Sequence, residues 1–120
     1  MQKTIFVIDD SKMNLIVVKD ALKDQYRVIP LPSAAKMFSL MEKLTPDIIL
    51  LDILMPEMDG YEAIKLLKRN SAHANIPVIF LTSTIDESTK EQGYQLGASD
   101  FVLKPFEKTE LLEKIARALE

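Results

Sequence analysis

Five polar positions follow directly on short apolar runs. Asp9 and Asp10 follow Ile5-Phe6-Val7-Ile8, Asp52 follows Ile48-Ile49-Leu50-Leu51, Thr82 follows Val78-Ile79-Phe80-Leu81, and Lys104 follows Phe101-Val102-Leu103. Phosphoryl transfer needs an oxygen nucleophile, a cation on the transferring oxygens and donors for the charge that arrives. Three acids, a hydroxyl and an amine supply those parts. Carboxylates gathered in one place repel, a conflict that a divalent cation resolves. A donor set of oxygens alone favours a hard ion, Mg²⁺ or Mn²⁺, that keeps several waters. Cysteine is absent, and the single histidine, His73, lies in a polar connection where it reads as surface filler rather than a phosphate donor.

For these residues to meet, the runs before them must be neighbouring strands. The runs are rich in β-branched residues and lack polar alternation, as strands buried on both faces do. A fifth candidate, Tyr26-Arg27-Val28-Ile29-Pro30, carries an Arg and a Pro that cannot donate to a ladder, so it belongs at a sheet margin. Helical spacing fills the intervals: Leu15, Val18 and Leu22; Met37, Leu40 and Leu44; Tyr61, Ile64 and Leu67; Leu111, Ile115 and Leu119. The stretch Asp86 to Leu96 is mostly polar and holds Gly93, so it reads as a weakly anchored helix that Gly97 stops. Alternating strand and helix predicts an α/β fold, a doubly wound (βα)₅ domain of flavodoxin-like type with a parallel five-stranded sheet and right-handed crossovers.

Ligands of such sheets bind beyond the carboxyl ends of the strands, where the winding reverses. With strand order 2-1-3-4-5, the first and third strands are about 4.8 Å apart, so Asp10 and Asp52 face one another and share the cation. Lys104 lies two strands away, roughly 9.6 Å, a span its side chain largely bridges toward Asp52. Asp52, the single central acid, is the best nucleophile; Asp9 and Asp10 are better used holding metal directly and through water. Asp9-Asp10 could instead cap a helix beginning near Ser11, but a cap needs one residue and Ser11 serves.

Length and composition bound the rest. A chain of 120 residues fits one domain, residues 1–120, and an apolar share of 48% with 28% charged residues is ordinary for a globular protein. The apolar runs are too short to span a bilayer, and the first residues lack a secretory pattern, so a cytoplasmic location is expected. A net charge of −3 without a basic run predicts no direct binding to nucleic acid or to an anionic membrane.

Ile8-Asp9-Asp10, Leu51-Asp52-Ile53-Leu54-Met55-Pro56, Met58-Asp59-Gly60, Leu81-Thr82-Ser83 and Lys104-Pro105-Phe106 together resemble the response-regulator receiver family of two-component signalling. The resemblance runs the length of the chain and is of the single-domain, chemotaxis-regulator kind. It implies that Asp52 accepts a phosphoryl group from a histidine kinase or a histidine phosphotransfer protein. Asp9, Asp10, Asp52 and the main-chain carbonyl of Leu54 would serve Mg²⁺. It implies that Lys104 balances the new charge, that Lys104-Pro105 is cis, that Thr82 turns to the phosphate, and that Phe101 moves inward with it. Phe101 stands where the family often has Tyr, so the ring hydroxyl is missing. The downstream protein target is unknown; a phosphorylation-dependent dimer is one possible output. The output surface would involve Asp86 to Leu96, Phe101 and the last helix.

Other classes fit less well. A flavodoxin-like cofactor carrier needs a hydroxyl- and glycine-rich first loop, whereas Asp9-Asp10 would repel a phosphate there. A haloacid-dehalogenase-like phosphatase resembles Asp-x-Asp after the first strand plus a cap domain, and neither is present. A small-molecule enzyme is therefore not expected, only a domain that phosphorylates and dephosphorylates itself. The main rival is a pseudo-receiver that docks partners without phosphorylation. Met13, Met55 and Met58 lie near the acids and could receive a partner helix, though loop packing explains them as well. Leu54 and Thr84 offer no strong group to guide water, which predicts slow hydrolysis of a phosphorylated state.

Overall fold

A computed structural model describes residues 2–120. In chain order the elements are β1 (Thr4–Ile8), α1 (Lys12–Leu22), β2 (Arg27–Leu31), α2 (Ala34–Met41), β3 (Ile48–Leu51), α3 (Gly60–Arg69), β4 (Val78–Thr82), α4 (Glu87–Gln95), β5 (Asp100–Leu103) and α5 (Lys108–Ala118). The strands form one parallel sheet of order β2-β1-β3-β4-β5, as the alternation of strand and helix predicts.

Each strand has side chains on both faces, which splits the core in two. Phe6, Ile8, Ile49, Leu51 and Phe80 meet Met37, Ile64 and Leu67 of α2 and α3. Ile5, Val7, Leu50, Ile79 and Val102 meet Leu15, Val18, Leu22, Leu111 and Ile115 of α1 and α5. β1, β3 and β4 are buried at every position, which is why their sequences are unbroken apolar runs.

Capping fixes where the helices start. Ser11, Ser33, Asp59 and Asp86 accept from backbone N–H groups of Asn14, Lys36, Glu62 and Thr89, and Asp59 with Glu62 forms a reciprocal capping box. α4 is the exception in burial, since Gly93 is its single buried residue. It ends at Gly97, whose φ of 108° lies in the left-handed region that an ordinary side chain rarely adopts. No helix among the described residues is long and apolar enough to cross a membrane.

Several boundaries differ from the sequence reading. β2 runs one residue later, Arg27–Leu31, and Pro30 is tolerated because the strand pairs only with β1. Leu44 lies beyond α2, in a turn where its N–H donates to the Leu40 carbonyl. β5 is the second edge, as the order 2-1-3-4-5 requires, but it is not buried at every position as β1, β3 and β4 are. Leu103 is 49% exposed because it lines an open groove between α4 and α5.

Candidate functional site

Parallel pairing carries the polar positions to one end of the sheet. Ile8 lies opposite Leu51, and Thr82 lies opposite Leu103, so the residues that follow share the carboxyl edge. Backbone bonds then lock the edge together. The Asp52 N–H donates to the Ile8 carbonyl at 3.0 Å, and the Lys104 N–H donates to the Thr82 carbonyl at 2.8 Å.

Asp9, Asp10 and Asp52 each present a carboxylate oxygen within 4.8 Å of the others. Asp9 and Asp52 are buried, whereas Asp10 is exposed. The buried acids have different partners. Asp9 Oδ1 accepts from the Ser11 N–H at 2.9 Å, and its Oδ2 accepts from Asn14 Nδ2 at 3.3 Å and from Lys104 Nζ at 2.8 Å. Asp52 Oδ1 accepts from the Ile53 N–H at 2.8 Å, and its Oδ2 faces Lys104 Nζ at 3.4 Å.

The expected reach of Lys104 toward Asp52 is thus corrected in emphasis: the ammonium sits between two acids and is closer to Asp9. A compact charge on a flexible stem settles where negative charge is densest, and a single-residue spacing argument cannot say which acid wins. The Lys104-Pro105 peptide is cis, in agreement with the sequence expectation.

One ammonium does not neutralise three acids. Burial first, and then the neighbouring Asp9 carboxylate, push Asp52 up to about 6, against the opposing pull of Lys104 and the Ile53 N–H. The structure therefore holds Asp52 among unbalanced negative charge, with oxygen donors only. That is a fit for a small hard cation.

The loop from Asp52 to α3 is tightly wound. Glu57 has a φ of 69°, Met58 N–H donates to the Pro56 carbonyl at 2.8 Å, and Gly60 N–H donates to the Ile53 carbonyl at 2.8 Å. A Cβ on Gly60 would fall 2.4 Å from the Asp52 carbonyl oxygen, so only glycine lets α3 begin this close to the acid. Gly60 belongs to the Met58-Asp59-Gly60 motif, which gives no hint of that contact, and Asn14 is likewise a support for Asp9 that sequence reasoning missed. An amide three residues inside a predicted helix carries no signal of its own.

Thr82 is 1% exposed, and its Oγ1 accepts from the Thr84 N–H at 3.4 Å. Leu54 and Thr84, two residues beyond Asp52 and Thr82, are both exposed. Phe101 is buried, with its ring inward between β4 and α4. Of the three methionines, Met13 is 68% exposed, while Met55 and Met58 pack against the core, so the trio is not a continuous apolar surface. His73 is half-buried in the connection between α3 and β4, and its N–H donates to the Asn70 carbonyl at 2.9 Å.

A parallel sheet with a buried acid at the end of its central strand, a lysine two strands away and a hydroxyl between them is the arrangement of a signalling receiver. The family model described as response regulator receiver domain matches residues 5–116. The chain belongs to the response regulator receiver family. It is 39% identical over 104 residues to a probable cyclic di-GMP phosphodiesterase of Vibrio cholerae, covering 87% of this chain and 24% of that protein. The crystal structure of the V. cholerae chemotaxis protein CheY4 superposes with a TM-score of 0.94 at 28% identity, covering 99% of this chain and 100% of that one. The receiver domain of a sensor histidine kinase from Pseudomonas aeruginosa, solved with a magnesium ion coordinated in its active site cleft, superposes with a TM-score of 0.89 at 27% identity, covering 99% and 98%. The chain spans about half or less of the length of the curated relatives it matches.

Proposed function

We propose that residues 1–120 act as one receiver module that takes a phosphoryl group onto Asp52 in a Mg²⁺-dependent reaction and changes partner binding in consequence. The observation that carries this reading is Asp52 itself, buried at the sheet's carboxyl edge with an ammonium at 3.4 Å and two further acids beside it. The donor is a phosphohistidine of a kinase or phosphotransfer protein. An Asp52 carboxylate oxygen attacks phosphorus, the P–N bond breaks, and its electron pair returns to the imidazole nitrogen, which is then protonated.

Asp9, Asp10, Asp52 and the Leu54 carbonyl would hold Mg²⁺ (or Mn²⁺), which supplies positive charge for the transferring oxygens. Lys104 meets the negative charge that the phosphoryl group brings, leaving Asp9 at least in part to do so. Thr82, at the end of β4, would turn its hydroxyl to the phosphoryl oxygens, giving up its bond from the Thr84 N–H. Domains of this kind work in the cytoplasm, and the downstream target would be a protein rather than nucleic acid.

Incubation with acetyl phosphate and Mg²⁺ should add one phosphoryl group by intact mass, and Asp52→Asn should abolish it. Unchanged labelling of Asp52→Asn would overturn the assignment, and absence of labelling in the native chain would favour a docking module that works without phosphorylation. Leu54 and Thr84, exposed and without an acid or amide, give water no guide toward phosphorus. The phosphorylated form should accordingly be long-lived; a half-life of seconds without any phosphatase would contradict that.

A further inference from the structure

We propose that Gly93 is the residue that holds the Phe101 ring inward, and that it does so whatever the state of Asp52. The second clause rests on Asp52 being the phosphoacceptor; the first does not.

Gly93 lies within α4 and has no positive φ, so its backbone does not require glycine. Its surroundings do. A Cβ there would fall 2.3 Å from Cζ of Phe101, far inside van der Waals contact, and 3.1 and 3.3 Å from the two Cε atoms, tighter than ordinary packing. The ring occupies the space that every other residue type would fill. On its other sides it meets Phe80 at a centroid distance of 5.4 Å and Tyr94 at 5.2 Å, the latter edge-on. Phe80 is itself confined by Tyr61 at 5.7 Å and by Gly60, where a Cβ would lie 3.0 Å from Phe80 Cε1. The ring therefore has no deeper position to take, and the slot under Gly93 is what admits it.

Two further observations separate this ring from the phosphoacceptor pocket. Thr82 Oγ1 is engaged with the Thr84 N–H of its own loop while Phe101 is already buried, so the inward ring does not wait for Thr82 to turn toward Asp52. Phenylalanine also has no hydroxyl to desolvate, so burial carries no polar cost of the kind that a tyrosine would meet. The groove of about 360 Å³ beside it, lined by Ile85, Tyr94, Leu103 and Lys114 among others, would then change through the loop after β4 and not through rotation of Phe101.

Ring contacts can be read by nuclear Overhauser spectroscopy on the full chain with ¹³C-labelled phenylalanine, with and without beryllofluoride and Mg²⁺. The expected result is unchanged Phe101 contacts to Phe80 and Tyr94 while the Ile53 amide, bonded to Asp52, shifts. Contacts that form only on addition would overturn the proposal. An Ile53 amide that does not move would instead sink the phosphoacceptor reading, and Gly93→Ala then decides the slot alone. In that variant both ring contacts should be lost and the melting temperature should fall, whereas an ordinary helical Gly→Ala raises it. In a Phe101→Leu background the same change should no longer lower the melting temperature, which guards against simple misfolding. Persistence of both contacts in Gly93→Ala, or loss of the Tyr94 contact with the Phe80 contact intact, would show that the helix yields rather than the ring and would overturn the assignment.

Discussion

At the scale of single residues, the pocket trades stability for charge. Asp52 has its pKa raised from 3.8 to about 6, so the folded protein holds this proton more tightly than the unfolded chain does. The associated stability is present in full at acid pH, below the unfolded value, and is lost as pH rises through about 6. Asparagine cannot ionise, and Lys104 would still have Asp9 at 2.8 Å. In chelator, Asp52→Asn should therefore raise the melting temperature at about pH 7.5 and lose that advantage near pH 4. An equal effect at both pH values, or a loss at the higher one, would mean that Lys104 already compensates Asp52.

At the scale of elements, α4 stands apart. Its sequence is polar, and its one buried position is a glycine. Amides of α4 should exchange with solvent well before those of β1, β3 and β4, which are buried throughout and open only with the whole domain. Equal protection would mean that the Tyr61 hydroxyl bond to the Thr89 carbonyl and the Tyr94–Phe101 contact anchor α4 as firmly as core burial does. Elements were also where the sequence spoke most clearly. The runs in β1, β3 and β4 need apolar side chains on both faces, so pattern and structure coincide, and the polar residues at their ends could be read as one site. What could not be read was side-chain reach and shape. The preference of Lys104 for Asp9 depends on local charge density, Asn14 turns toward Asp9 only once α1 is in place, and Gly93 looked like a mere weakness in a helix. Leu103, in an apolar run, gave no sign that its own side chain stays exposed beside an open groove.

For the molecule as a whole, one sheet serves two cores that differ in their helices but share every strand. Leu50 is fully buried on the α1 and α5 side, one residue from Ile49 and Leu51 on the other. Because neither core can open without breaking β3, Leu50→Ala should cost about 2–5 kcal/mol and still leave a single transition. The measurement is urea unfolding followed both by far-ultraviolet circular dichroism and by tyrosine fluorescence. Separated transitions would mean that the two faces melt independently.

The Lys104 ammonium is a tethered counterion, covalently present at the acids regardless of what is dissolved around them. Mobile salt screens charges in solution over about 8–10 Å, yet it has little purchase on partners 2.8 Å apart and largely shielded from water. The acidic pocket thus keeps nearly the same resting electrostatics through an osmotic upshift, while encounters that rely on exposed charge weaken. Ionic strength would then govern how often a donor arrives and leave almost untouched what it finds.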